Sequence, residues 1–190
     1  MSSNSLGGDD GDRVLPDMLR FKVIWLAGHD NSIRGWVMEI HEGGLDDPRV
    51  QRLLEKHVTR ARTETGRGSA HALDLSGLRS PGIEFWTVWE QNEPVGTGAL
   101  KDLGGGEFEV KSMYTAEHCR RSGVGSAVLA HLIAVCRRRG ARRISLETGS
   151  WEYFRPAVAL YRKHGFVECP PFAGYVTDPN SIFLTLNLER

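Results

Sequence analysis

Between Met113 and Ser126 the chain changes character within a few residues, and that change constrains the fold more than any other stretch. Glu107 to Tyr114 reads as a strand, a short loop follows, and Arg120-Arg121-Ser122-Gly123-Val124-Gly125-Ser126 leads straight into a helix. Val124, Val128, Leu132 and Val135 repeat on one face of that helix, and Gly140 stops it. Glycines let a backbone approach a ligand closely, and the unpaired N–H groups of a helix start favour anions. Arg120 and Arg121 add positive charge at the mouth, so a pyrophosphate is the natural guest. The plainer alternative is a helix start with two flexible glycines and solvated arginines. A Walker loop needs Gly-Lys-Ser or Gly-Lys-Thr, and neither tripeptide occurs. A dinucleotide fingerprint wants a small residue three places after Gly125, where Val128 stands, although Glu147 lies about where a ribose-binding acid would.

The flanking sequence supplies a sheet. Gly35 to His41 reads as a strand, and Asp46-Asp47-Pro48 opens a helix that carries Val50, Leu53, Leu54 and Val58 and runs to about Glu64. Ile83 to Trp89 and Val95 to Lys101 form a hairpin about Asn92-Glu93-Pro94, and Gly104-Gly105-Gly106 turns the chain into the strand before the glycine loop. Arg143 to Glu147 is a strand, about Phe154 to His164 a helix, and Phe166-Val167 and Ile182 to Leu188 are final strands. The order β-α-β-β-β-α-β-α-β-β describes an α/β domain with a mixed sheet over 35–190. Residues 1–34 are expected to be a poorly ordered leader or a loosely attached extra strand, because Ser, Asn, Gly and Asp at its start bury little apolar surface.

A length of 190 residues suits one domain. Lys plus Arg and Asp plus Glu number 24 each, so the charge surplus of a general nucleic-acid or anionic-membrane binder is missing. No apolar stretch approaches a membrane span, since Val23 to Ala27 is far too short, and Gly28-His29-Asp30 after it in place of a small-residue cleavage site argues against a secretory signal. Cys119, Cys136 and Cys169 are odd in number and form no CxxC pair, which fits reduced thiols of a cytoplasmic protein without a metal site or disulfide framework.

From about Trp36 to Leu188 the chain resembles the GCN5-related N-acetyltransferases (GNAT). The family motif Arg/Gln-x-x-Gly-x-Gly/Ala stands as Arg120-Arg121-Ser122-Gly123-Val124-Gly125, and Leu-Tyr-x-x-x-Gly-Phe stands as Leu160-Tyr161-Arg162-Lys163-His164-Gly165-Phe166. Segments such as His71-Ala72-Leu73-Asp74-Leu75 and Asp178-Pro179-Asn180-Ser181 resemble a bacterial subgroup of uncharacterised acetyltransferases. The resemblance implies a splayed central sheet and acetyl-CoA as cosubstrate. The backbone of Met113, Tyr114 and Thr115 would hold the pantetheine arm, and Arg120, Arg121, Ser122, Gly123, Val124, Gly125 and Ser126 would wrap the pyrophosphate. It further implies a catalytic base at Glu109, with Glu84, Glu147 and His71 as alternatives, and a proton donor to the thiolate at Tyr161. The Met113 N–H would polarise the thioester carbonyl. The acceptor would be a small-molecule or protein amine, and homodimers are common in the family. The sequence departs from the pattern at Phe154, where many relatives carry an Asn that touches the pantetheine. A fold-retaining domain that binds acetyl-CoA without catalysis and a nucleotide-dependent oxidoreductase are the alternative functions.

Arg137-Arg138-Arg139-Gly140-Ala141-Arg142-Arg143 ends a helix, where cations suit the helix dipole. Phe85, Trp86 and Trp89 are expected in the core or on a sheet face. Trp151, Tyr153, Phe172 and Tyr175 follow the last parallel strand, where they line an acceptor pocket or serve packing.

Overall fold

A computed structural model describes residues 20–23, 38–64 and 73–189. The strands are β1 (Arg20–Val23), β2 (Met38–Glu42), β3 (Ile83–Glu90), β4 (Glu93–Gly104), β5 (Glu107–Thr115), β6 (Arg143–Gly149), β7 (Val167–Glu168) and β8 (Ser181–Asn187). The helices are α1 (Pro48–Glu64), α2 (Leu75–Leu78), α3 (Val124–Arg138) and α4 (Arg155–Lys163). All eight strands join one sheet in the order β1-β2-β3-β4-β5-β6-β8-β7. The mixed α/β architecture is the expected one, with β1 and the single-turn α2 added to the expected order. Asp74 caps α2 by accepting from the Gly77 N–H at 2.9 Å. Of the expected leader, residues 20–23 form β1 on the edge of β2, and the remainder lies outside the described residues.

The β3–β4 turn falls earlier than expected. Gln91 and Asn92 both hold positive φ, 46° and 65°, which a tight two-residue hairpin requires. Pro94 therefore sits inside β4 opposite Trp89, where the register slips. Proline donates no ladder hydrogen bond, and a bulge is where a sheet tolerates one.

The core forms where α3 lies on the sheet. A β-carbon at Gly96 would fall 2.5 Å from Val124 Cγ1, and one at Gly98 would fall 2.5 Å from Val128 Cγ1. Those two glycines let α3 approach β4 closely enough to bury Val124, Val128, Leu129 and Leu132. Full burial of each such side chain contributes about 1.5–3 kcal/mol. A second cluster packs α1 and α2 through Val50, Leu54 and Leu78 onto Phe85 and Ala99. Trp86 joins the main core, while Trp89 packs against the second cluster and carries the Arg49 guanidinium 4.7 Å above its ring.

β5 and β6 are the one parallel pair among the described strands, and their ladder runs only through Glu107 with Arg143, Phe108 with Ile144 and Glu109 with Ser145. Beyond that seam β5 pairs only with β4, and β6 pairs only with β8. The sheet is thus splayed as expected, and the opening lies between the C-terminal halves of two neighbouring strands.

Candidate active site

A bulge shapes the β5 side of the opening. Ser112 holds φ at +50°, and the β4–β5 register shifts between Thr97 and Ala99. The Thr97 hydroxyl donates to the Ser112 carbonyl at 2.9 Å and fixes the bulge. Past it, Met113 packs toward α3 beside Gly98, and Tyr114 points to α1, where its ring meets His57 at 5.0 Å. Burial, followed by the Glu117 charge, raises the Tyr114 phenol above its ordinary value. Thr115 ends the strand beside the start of α3.

The glycine loop aims that helix at the opening. Arg121 and Gly123 hold left-handed φ of 65° and 96°, and Ser122 bonds back to the Cys119 carbonyl at 2.6 Å. Gly123 is the N-cap and offers no side-chain acceptor. The first backbone bond of α3 runs from the Ala127 N–H to the Gly123 carbonyl, so the N–H groups of Val124, Gly125 and Ser126 have no intrahelical partner. A β-carbon at Gly125 would lie 3.2 Å from Leu160 Cδ2 and 3.4 Å from Thr115 Oγ1, so a larger residue would close the space. Arg120 donates to the Tyr153 hydroxyl at 2.9 Å, and Arg121 is exposed. Ser126 Oγ and His164 Nε2 lie 2.8 Å apart, which ties the end of α4 to the first turn of α3.

The other wall is β6 with α4. Phe154 packs so tightly on Gly149 that a β-carbon there would overlap its ring. The ring therefore covers the end of β6 at the position where the sequence departs from the family pattern. Tyr161 is buried, and burial and then the Glu147 charge push its phenol well above the usual range. Glu147, on β6, accepts from the Ser181 hydroxyl at 2.6 Å.

Glu109 lies on β5 at the seam and is 2% exposed. Tyr175 Oη donates to its Oε1 at 2.6 Å, and Lys111 Nζ donates to the same oxygen at 3.2 Å. Lys111 also donates to Tyr175 Oη at 2.8 Å. Phe172 and Phe183 pack against the Tyr175 ring at 5.2 and 5.5 Å. Glu109, Tyr161 and Glu147 thus gather at or beside the opening. Glu84 does not: it is ion-paired with Arg139 at the far end of α3. His71 lies outside the described residues. Lys111 was not among the expected site residues, although Glu109-x-Lys111 spacing on a strand puts both side chains on one face. Tyr175 was expected only as an acceptor-pocket residue, and no local pattern links it to Glu109, 66 residues away.

An unpaired strand edge calls for an extended amide-bearing arm, and an uncapped helix start calls for an anion. An acyl thioester of coenzyme A carries both groups in a single molecule. Comparison with known proteins agrees: residues 46–166 match the family model for the acetyltransferase (GNAT) family, and the chain belongs to that family. The uncharacterised N-acetyltransferase YedL of Escherichia coli is 44% identical over 144 residues, covering 76% of this chain and 91% of its own. The uncharacterised N-acetyltransferase YsnE of Bacillus subtilis is 44% identical over 151 residues, covering 80% of this chain and 100% of its own. An IAA acetyltransferase of Azospirillum brasilense is 38% identical over 117 residues, covering 61% of this chain and 75% of its own. A solved Klebsiella pneumoniae structure named an acyl-CoA N-acyltransferase superposes with a TM-score of 0.64 at 26% identity, covering 79% of this chain and 97% of that one. The protein is therefore an acyltransferase of the N-acetyltransferase type. No helix among the described residues is long and apolar enough to cross a membrane.

Proposed function

We propose that the protein transfers the acetyl group of acetyl-CoA to a primary amine by direct attack in a ternary complex. The observation that carries this reading is the uncapped start of α3 at the mouth of the β5–β6 opening. The N–H groups of Gly123, Val124, Gly125 and Ser126, with Ser122, Arg120 and Arg121, hold the pyrophosphate, and the freed edge at Met113, Tyr114 and Thr115 holds the pantetheine arm. The Met113 N–H stabilises the oxyanion that develops on the thioester carbonyl. Only about one alkyl amine in 2,500 is neutral at pH 7, so a base is needed, and Glu109 serves as that base. Tyr161 donates to the departing thiolate.

The thiols support direct attack over an acyl-cysteine intermediate. Burial pushes Cys136 up to about 12 and raises Cys119 and Cys169, so all three stay protonated and weakly nucleophilic. The IAA acetyltransferase among the relatives supports a small-molecule acceptor. Turnover of acetyl-CoA with a panel of amino acids, polyamines and arylalkylamines, followed by free-thiol release, identifies the acceptor. Gly123→Glu places a carboxylate among the helix-start amides, and calorimetry should show coenzyme A affinity falling by about 100-fold or more. Unchanged affinity would overturn the proposed cradle.

A further inference from the structure

We propose that His164 is a positioning residue for the diphosphate of coenzyme A: it makes the Ser126 hydroxyl a donor toward the ligand, and it gains a proton as the ligand binds. The inference rests on the reading of the α3 start as the diphosphate cradle. Ser126 is the third residue of α3, and the Cα–Cβ bonds of a helix lean toward its N-terminus. Its Oγ therefore lies on the side of the uncapped Val124, Gly125 and Ser126 amides, where the residue is half-buried. His164 is the C-cap of α4, and its Nε2 stands 2.8 Å from that oxygen.

Hydrogen counting fixes the direction of this contact once the ligand is in place. A serine hydroxyl carries one hydrogen, and a diphosphate ester near neutral pH offers only acceptors. If Ser126 gave its hydrogen to Nε2, its lone pairs would face the phosphate oxygens and repel them. The bound arrangement therefore has the Nε2 hydrogen on Ser126 Oγ and the Ser126 hydrogen on a phosphate oxygen. Neutral imidazole supports this in one of its two tautomers. Imidazolium supports nothing else, because both of its nitrogens donate.

Charge acts the same way. In the free protein, burial and then the Lys163 charge hold the His164 ring below its ordinary value, so near neutrality it is mostly uncharged. Lys163 belongs to the ring's own helix; α3 meets the ring with a hydroxyl, and no other charge bears on it among the described residues. The negative charges of a diphosphate, one hydroxyl away, favour the charged ring. A proton then passes from the buffer to Nδ1 while Nε2 keeps its hydrogen on Ser126, and no other bond changes. By linkage, that proton strengthens coenzyme A binding by the same factor by which coenzyme A strengthens the binding of the proton.

The test is calorimetry of the full-length protein with coenzyme A, run from about pH 8 to about pH 6 in pairs of buffers whose ionisation enthalpies differ. His164→Gln sets an amide N–H where Nε2 stands and cannot become charged. At the alkaline end it should bind within about threefold of the unaltered protein, because the donor is kept. Its proton uptake should fall short of the unaltered protein's, and its gain in affinity toward acid should be about threefold smaller. Titration of the ligand's own 3′-phosphate is common to both proteins and cancels. His164→Leu removes the donor as well and should weaken binding by about 10-fold throughout. Ser126→Ala should lose a similar factor, and Ser126→Ala with His164→Leu little more, since both act through one contact. Equal proton uptake in His164→Gln and the unaltered protein, or losses that multiply in the double variant, would overturn the proposal. If the His164 variants fail to fold, proton NMR of the histidine rings in the unaltered protein decides: a ring whose titration midpoint rises with coenzyme A supports it, and the absence of any such ring overturns it. Coenzyme A binding that Gly123→Glu abolishes, beside undiminished proton uptake in His164→Gln, sinks the inference and spares the cradle. Coenzyme A that does not bind, or that binds Gly123→Glu as well as the unaltered protein, sinks both.

Discussion

Tyr161 is kept neutral by burial and by the neighbouring Glu147 charge, so its value in the proposed reaction lies in donating a hydrogen bond to developing thiolate. Tyr161→Phe should lower kcat by about 10- to 100-fold and leave acetyl-CoA affinity nearly unchanged, a split that kinetics and calorimetry together resolve. An unaltered rate would remove the residue from the mechanism. His57 carries a different consequence, for stability. Packed under Tyr114 on α1, it is pushed by burial from its ordinary 6.5 down to about 4. Between those values the unfolded chain binds the proton and the folded one does not, so each step down in pH favours unfolding. The contribution of neutral His57 is complete above pH 6.5 and is lost as pH falls toward 4. His131 and His164 are lowered as well and act in the same direction. Denaturant midpoints should therefore fall across that window, and His57→Leu should flatten the profile. An identical slope in that variant would show that His57 does not carry the effect.

At the scale of elements, the glycines of β4 determine where α3 lies. Gly98→Ala brings a β-carbon to 2.5 Å from the stiff, β-branched Val128 and 3.2 Å from Leu132. The helix must lift or shift, and such overpacking costs about 1–3 kcal/mol, readable as a lower urea midpoint. Because α3 also carries the helix start at the opening, coenzyme A affinity should drop in the same variant, whereas Gly82→Ala, at a turn with open space, should leave affinity intact. The periodicity of α1 and α3 and the turn-bounded strand runs of β3 to β6 were legible in the sequence because local pattern sets them. The turn at Gln91-Asn92 was misplaced toward Pro94, since proline is a frequent turn residue and nothing local marks a bulge that tolerates it. The cap-driven α2 was missed because a single turn is too short to show a period.

At the scale of the whole molecule, balanced charge hides a specific use of its cations. Arg139 pairs with Glu84 of β3, and Arg142 and Arg143 pair with Glu107 of β5. These members of the basic run tie the chain after α3 to the sheet. Exposed pairs of this kind contribute at most about 1 kcal/mol each. The glycine loop and Tyr161 could be picked out because motifs are contiguous in sequence. The Glu109–Lys111–Tyr175 group could not, because its third member reaches β5 only through the long return of the chain to β8.

Three residue pairs along one border are all the ladder pairing that β5 and β6 share. A thioester arm lying in the cleft would act as a borrowed strand, supplied by metabolism instead of by the gene. Deuterium uptake at Met113–Thr115 and Leu146–Gly149 should then slow under saturating coenzyme A, with little change in β2 and β3; uniform uptake with and without it would mean the arm lies elsewhere. A protein completed in this way is stiffest when acetyl groups are plentiful, so its resistance to proteolysis would rise and fall with the supply it draws on.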